Sequence, residues 1–216
     1  MSFKDKLVPN LWLADELWKL GAIQFGDFTL GKSTVNSPVY VNLRRLISDP
    51  HALHHVAEVM RDEVHTLQRM RQPRLAAYDL IAGVPFGGLH LATAFSLLSG
   101  TPMIYLHPPK DGDRTVIEGN YTAGQTVLII DDLITGGRSV IHTVQRLEED
   151  HLLVEDALVL IDRQQGGQER LKQRGINLVS ILTLEAVLHY LGSSRKISEE
   201  WYHKSLEYLG KQLSGS

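Results

Sequence analysis

The densest chemistry in the chain lies in Val127-Leu128-Ile129-Ile130-Asp131-Asp132-Leu133-Ile134-Thr135-Gly136-Gly137-Arg138-Ser139. Four apolar residues predict a buried strand, with two carboxylates at its carboxyl end. A Thr/Gly/Gly/Ser turn follows, then a helix beginning near Ser139. The turn and the helix start offer several backbone N–H groups and two hydroxyls, a cradle for a phosphate monoester. Asp131 and Asp132 cannot bind phosphate; they are placed to hold sugar hydroxyls, or Mg²⁺ through water, beside it. A phosphate at one end and a diol at the other describe a ribose 5-phosphate.

Such a site needs a scaffold of buried strands. Short apolar runs recur at Asp79–Ala82, Met103–Leu106, Val127–Ile130, Ala157–Ile161 and Leu178–Leu182. Runs without polar alternation suit strands covered on both faces. The segments Leu89–Leu98, Val140–Glu149 and Glu169–Arg174 suit crossover helices between them. Ligands of open parallel sheets sit at the carboxyl ends of the strands, where the two acids fall. Ahead of this region, 11–21 predicts a short amphipathic helix ending at Gly21. Phe25–Leu30 and Pro38–Leu43 predict two strands joined by the polar turn Gly31–Ser37. Asp49-Pro50 is a helix start, a capping carboxylate followed by proline. The helix behind it carries Leu53, Val56, Met60, Val64 and Leu67 on one face through residue 70. Ile197–Leu213 predicts a terminal helix. With no repeat or linker, the expectation is one domain over 1–216.

Composition narrows the function classes. The 216 residues are 43% hydrophobic and 22% charged, within the globular range. The formal net charge of −3 excludes a broad nucleic-acid-coating surface. The absence of cysteine excludes disulfides, thiol catalysis and cysteine–zinc sites. From Leu80 to Pro109 no Asp, Glu, Lys or Arg occurs, but glycines and prolines interrupt the run too often for a membrane helix. The start MSFKDKLVPN has no apolar core behind its basic residues, so the expectation is a cytoplasmic protein with no membrane partner. His51, His54 and His55 cluster on one helix without an obvious further ligand and are read as a solvated face. Trp201, Tyr202 and Tyr208 suit either a dimer interface or packing on the same domain.

The thirteen residues 127–139 resemble the signature for phosphoribosyl pyrophosphate (PRPP) in type I phosphoribosyltransferases. Other segments narrow the resemblance. Phe25-Gly26-Asp27-Phe28-Thr29-Leu30 and Ser37-Pro38-Val39-Tyr40-Val41-Asn42-Leu43-Arg44 are similar to the amino-terminal hood of orotate phosphoribosyltransferases. Gly83-Val84-Pro85-Phe86-Gly87-Gly88 resembles their pyrophosphate loop. Leu160-Ile161-Asp162-Arg163-Gln164-Gln165-Gly166-Gly167 resembles the orotate-side motif, especially as found in UMP synthases. One signature position departs: Gly136 stands where a small hydroxyl or alanine side chain is usual.

The resemblance implies an α/β fold with a central parallel sheet flanked by helices, a hood mainly over 1–45, a core over about 46–190 and a terminal helix over about 197–213. It implies Mg²⁺-dependent transfer of 5-phosphoribosyl from PRPP to orotate, giving orotidine 5′-phosphate and pyrophosphate, by a homodimer. PRPP would be held by Gly87, Gly88, Lys110, Asp131, Asp132, Leu133, Ile134, Thr135, Gly136, Gly137, Arg138 and Ser139. Lys32, Thr135 and Arg163 would hold orotate. Lys110, Asp131 and Asp132 would be catalytic, with Asp131 and Asp132 serving Mg²⁺ indirectly, through water and PRPP. In the mobile loop, Lys110-Asp111-Gly112 and Glu118-Gly119 fit the family pattern. His107-Pro108 replaces the leading basic pair, and the loop is about two residues short. Two other readings share these features: a PRPP- or nucleotide-binding regulatory protein, and a phosphoribosyltransferase for another base.

Overall fold

The computed structural model describes residues 10–30, 34–107 and 116–214. The elements run α1 (Leu11–Lys19), β1 (Ile23–Leu30), β2 (Thr34–Val41), a 3₁₀ turn (Leu43–Ser48), α2 (Pro50–Gln68), β3 (Leu80–Gly83), α3 (Gly87–Ser99) and β4 (Met103–His107). They continue with β5 (Val116–Glu118), β6 (Val127–Ile134), α4 (Arg138–Glu149), β7 (Asp156–Asp162), α5 (Gly167–Lys172), β8 (Asn177–Thr183), α6 (Leu184–Ser193) and α7 (Glu199–Ser214).

Six strands form one sheet in the order β5-β4-β3-β6-β7-β8. The pairs from β4 to β8 are parallel, whereas β5 runs antiparallel to β4, with Leu106 opposite Ile117. The sheet is therefore mixed rather than wholly parallel. β5 buries only its central residue, the pattern of a short edge strand, and three residues are too few for periodicity to register.

The apolar runs feed two cores. Ile81, Leu128, Ile130, Leu158 and Leu160 face one core, which α1, α2, α3 and α6 cover. Their neighbours Leu80, Ala82, Val127, Ile129, Ala157 and Val159 face the other, with Val140, Val144 and Leu147 of α4 and Leu171 of α5. Alternation is present, but both phases are apolar because both faces are buried.

β1 and β2 form a separate antiparallel pair, the hood. β2 spans Thr34–Val41 rather than Pro38–Leu43. Asn36 is exposed whereas Ser37 is buried, and Pro38 falls at a register irregularity between Val39 and Ser37. Asp49 caps α2 through the amides of His51 and Ala52, both at 3.0 Å, and the helix ends at Gln68 rather than 70. α6 lay outside the expected elements, although Thr183 caps it and Leu184, Val187, Leu188 and Leu191 carry helical spacing.

The aromatic residues of the last helix pack on this chain. Trp201 lies 6.3 Å from Phe25 between ring centres, and Lys204 donates to the Oδ1 of Asp27 at 2.9 Å. The hydroxyl of Tyr202 and Nδ1 of His189 are hydrogen-bonded at 2.7 Å. His55 stacks on Trp12 at 3.8 Å. Among the described residues no group of three or more acidic or histidine side chains could hold a metal ion, and no helix is long and apolar enough to cross a membrane.

Candidate active site

The site forms where β6 outruns one neighbour. Its pairing with β3 ends at Ile130, while its pairing with β7 continues to Ile134. Asp131 and Asp132 occupy this step, so they belong to the strand rather than following it. Into the space beside them comes the start of α3. The amide of Val84 donates to the carbonyl of Ile130 at 2.9 Å. A Cβ on Gly88 would overlap that same carbonyl, and one on Gly87 would overlap the carboxylate of Asp132. These glycines let the pyrophosphate-loop segment meet the acids, a requirement of packing that precedes any approach to a ligand.

Residues from four segments line a cavity of about 530 Å³ there, including Asn42, Arg44, Asp132, Thr135, Gln165 and Arg170. Its size suits a small-molecule ligand. Asp131 is only 6% exposed and accepts the amide of Asp132 at 2.8 Å. Asp132 accepts the amide of Leu133 at 2.8 Å. Burial pushes the Asp131 carboxyl well above the usual carboxylate range, and the charge of Asp132 adds to the effect. Hydroxyl donors or a cation beside the pair would relieve that penalty. Two carboxylates are too few to enclose Mg²⁺, so they fit an ion completed by water and substrate oxygens.

The Thr/Gly/Gly/Ser turn follows directly. Gly137 adopts φ +76 and precedes α4, whose first turn has no side-chain cap, an arrangement that suits an anion. Thr135, Gly136, Gly137, Arg138 and Ser139 all line the cavity, as do Leu133 and Ile134. α5 presses on the cradle from behind. A Cβ on Gly167 would overlap the carbonyl of Thr135, and one on Gly137 would stand 2.8 Å from Leu171.

Arg163 lies elsewhere. It is 3% exposed, lies outside the cavity lining, and its amide donates to the carbonyl of Ile134 at 2.9 Å. Its guanidinium reaches the hydroxyl of Ser37 in the hood, and burial pushes its pKa down, with Tyr208 opposing. The structure therefore places Arg163 at the hood–core junction, under the hood rather than on the open cavity wall. Lys32 and Lys110 lie outside the described residues. So do 108–115, whose flanks His107 and Val116 pair across β4 and β5.

The cavity also draws on residues that sequence reasoning passed over as site residues. Tyr40, Val41, Asn42 and Arg44 reach it from the end of β2. Gln165 and Arg170 reach it from the loop and helix after β7. The signal was their adjacency to the hood and orotate-side motifs. His90, one turn into α3, is half-buried; burial lowers its pKa, the charge of Asp132 opposes this, and Arg44 adds to the lowering.

No family model matches the chain. The uridine 5′-monophosphate synthase of Bos taurus is 38% identical over 211 residues, covering 97% of this chain and 42% of that relative. This chain thus spans about two fifths of that synthase's length. The orotate phosphoribosyltransferase of Chlamydia caviae is 38% identical over 205 residues, covering 92% of this chain and 93% of the relative. Among solved structures, Leishmania donovani UMP synthase superimposes with a TM-score of 0.82 at 30% identity, covering 94% of this chain and 42% of that one. Aeropyrum pernix orotate phosphoribosyltransferase gives 0.73 at 32% identity, covering 84% and 98%. With the stepped strand, its acids and the cradle in the same order as the motifs, this chain belongs to the orotate phosphoribosyltransferase family.

Proposed function

We propose that the step in β6 carries out the reaction of this family, with PRPP held in the cavity and orotate held toward the hood. The chain is an orotate phosphoribosyltransferase, forming orotidine 5′-phosphate and pyrophosphate from orotate and PRPP in pyrimidine biosynthesis. The observation that carries the assignment of roles is the adjacency of the uncapped α4 start to the buried Asp131 and the half-buried Asp132 in one cavity. The amides and hydroxyls of Thr135–Ser139 take the 5′-phosphate, with Leu133 and Ile134 along the ribose. Asp131 and Asp132 take the ribose hydroxyls and steady positive charge at the anomeric carbon as pyrophosphate departs. Mg²⁺ supplies charge neutralisation on the pyrophosphate when bound, and the two acids are its partners through water and PRPP. Gly87 and Gly88 serve the leaving-group side, and Lys110 is assigned the same role from the sequence resemblance alone. Orotate lies between Thr135 and the hood, with Lys32 and Arg163 as its cationic partners; a guanidinium fork suits a planar carboxylate.

A homodimer and a cytoplasmic location complete the reading. The dimer is supported by large apolar side chains left in water. Phe86 is 70% exposed, Leu97 82% and Ile47 60%. Phe86, the residue that precedes α3, and Leu97 near its end fall along one side of the helix at helical spacing, with His90 and Thr93 between them.

The deciding experiment mixes purified protein with orotate, PRPP and Mg²⁺ and follows the loss of orotate absorbance. Turnover supports the reading. PRPP binding without turnover would favour a regulatory protein, and turnover with a purine instead would favour a different base.

A further inference from the structure

The signature departs from its family pattern at Gly136, and the structure shows what stands in the space a side chain would take. An ideal Cβ on Gly136 would lie 3.1 Å from Nη1 of Arg170 and 3.8 Å from its Cζ. That nitrogen donates to the carbonyl of Gly136 at 2.5 Å. Gly136 does not hold a positive φ, so the backbone itself would accept another residue. The pressure against a side chain comes from Arg170.

Arg170 is on α5, is exposed, lines the cavity and makes no ion pair with a carboxylate among the described residues. A guanidinium on the Gly136 carbonyl has two consequences. It fixes that carbonyl, and with it the planar trans peptide whose N–H belongs to Gly137. It also brings an unneutralised positive charge to the wall where the 5′-phosphate would sit. The neighbouring Gln165 belongs to the same wall, and neither its amide nitrogen nor its amide oxygen has a hydrogen-bond partner among the described residues. Buried amide groups left in that state point to a ligand-facing surface.

We infer that Arg170 is a positioning residue for the phosphate loop, and that Gly136 and Arg170 form a coupled pair in which the guanidinium holds the Gly136 carbonyl and occupies the space beside its Cα. The inference rests on the phosphoribosyl reading of the cavity. The ligand class is a phosphate monoester on a ribose, and the contact is made from behind the loop by the helix after β7.

A double-mutant cycle tests the pair, with ribose 5-phosphate as the calorimetric probe and steady-state kinetics in parallel. Arg170→Ala is expected to weaken ribose 5-phosphate binding by about tenfold, the effect of one charge-assisted hydrogen bond. The KM for PRPP rises by the same factor, while kcat and the KM for orotate stay near the parent values. Arg170→Lys recovers part of the loss. Gly136→Ser displaces the guanidinium, so it weakens binding when Arg170 is present. In the Arg170→Ala background the same serine restores binding, because its hydroxyl takes the vacated role. Arg170 is exposed, so the variants fold, and thermal melts verify it. Unchanged ribose 5-phosphate affinity in Arg170→Ala, or strictly additive effects of the two substitutions, would overturn the inference. Because binding is read without orotate, a failure of orotate turnover in the parent protein would refute the reaction and leave this result standing on its own.

Discussion

Nη2 of Arg163 donates to Oγ of Ser37 at 3.3 Å, joining the loop after β7 to the second strand of the hood. The same hydroxyl donates to the carbonyl of Val39 at 2.7 Å, so Ser37 orients the guanidinium from a fixed position. Arg163→Ala is expected to raise the KM for orotate by on the order of tenfold or more, with little effect on PRPP. Ser37→Ala should give a smaller shift in the same direction. Equal effects on both substrates in Arg163→Ala would count against a carboxylate-binding role.

The same substitution should have opposite signs at two glycines. At Gly88 a methyl group would overlap the Ile130 carbonyl and stand 2.9 Å from Cα of Asp131. Gly88→Ala should therefore cost about 2 kcal/mol or more of stability, since backbone cannot move aside cheaply. Gly210 lies within α7 and a methyl group there meets nothing within 4 Å. Gly210→Ala should stabilise by up to about 1 kcal/mol through helix propensity. Urea denaturation of both variants measures the contrast, and a loss of stability in Gly210→Ala would contradict the packing described for α7.

Asp162 supplies a pH test. Burial pushes its carboxyl above the usual value of 3.8, although the amide of Gln164 donates to it at 2.7 Å. As pH rises through the unfolded-state value, the unfolded chain releases this proton first. Stability therefore falls until the folded-state pKa is passed, then levels. Asn keeps the acceptor for Gln164 without the charge. Asp162→Asn should gain stability over the parent near neutral pH and lose that advantage as pH falls to about 4. A gain independent of pH across unfolding curves at about pH 4 and about pH 7 would show that the charge is not the cause.

The apolar stripe on α3 predicts an oligomeric state. Leu97→Glu should convert a dimer to a monomer in sedimentation velocity, because a carboxylate in the centre of a dry contact is strongly unfavourable. A variant that still sediments with the parent would place the dimer contact elsewhere.

Much of this arrangement was legible before any coordinates. Val127–Ser139 announced a strand, acids and a cradle because those chemistries are local to thirteen consecutive residues. The apolar runs gave four of the strands nearly to the residue; β3 and β7 are buried on both faces, and β4 and β8 stay apolar although partly exposed. What escaped is non-local or too short. β5 has three residues. β2 begins Thr34-Val35-Asn36-Ser37, which offers no apolar run to read. Asp131–Ile134 extend the strand because β7 runs on after β3 has stopped, a fact that belongs to the neighbours. Arg163 carried the right chemistry in the motif, but its position beneath Ser37 depends on a contact across 126 residues. Arg170 gave no motif at all; its meaning comes from the absent side chain of Gly136.

The hood is held from outside by α7, through Trp201 against Phe25 and Lys204 on Asp27. Strands that precede the α/β core in the chain thus wait for residues 199–214, which follow it, before Phe25 and Asp27 gain these partners. The hood side of the cavity can mature only after the whole α/β core has been made. A pulse of synthesis arrested before residue 199 would yield a sheet with its phosphate cradle in place and a hood still unable to settle over Arg163.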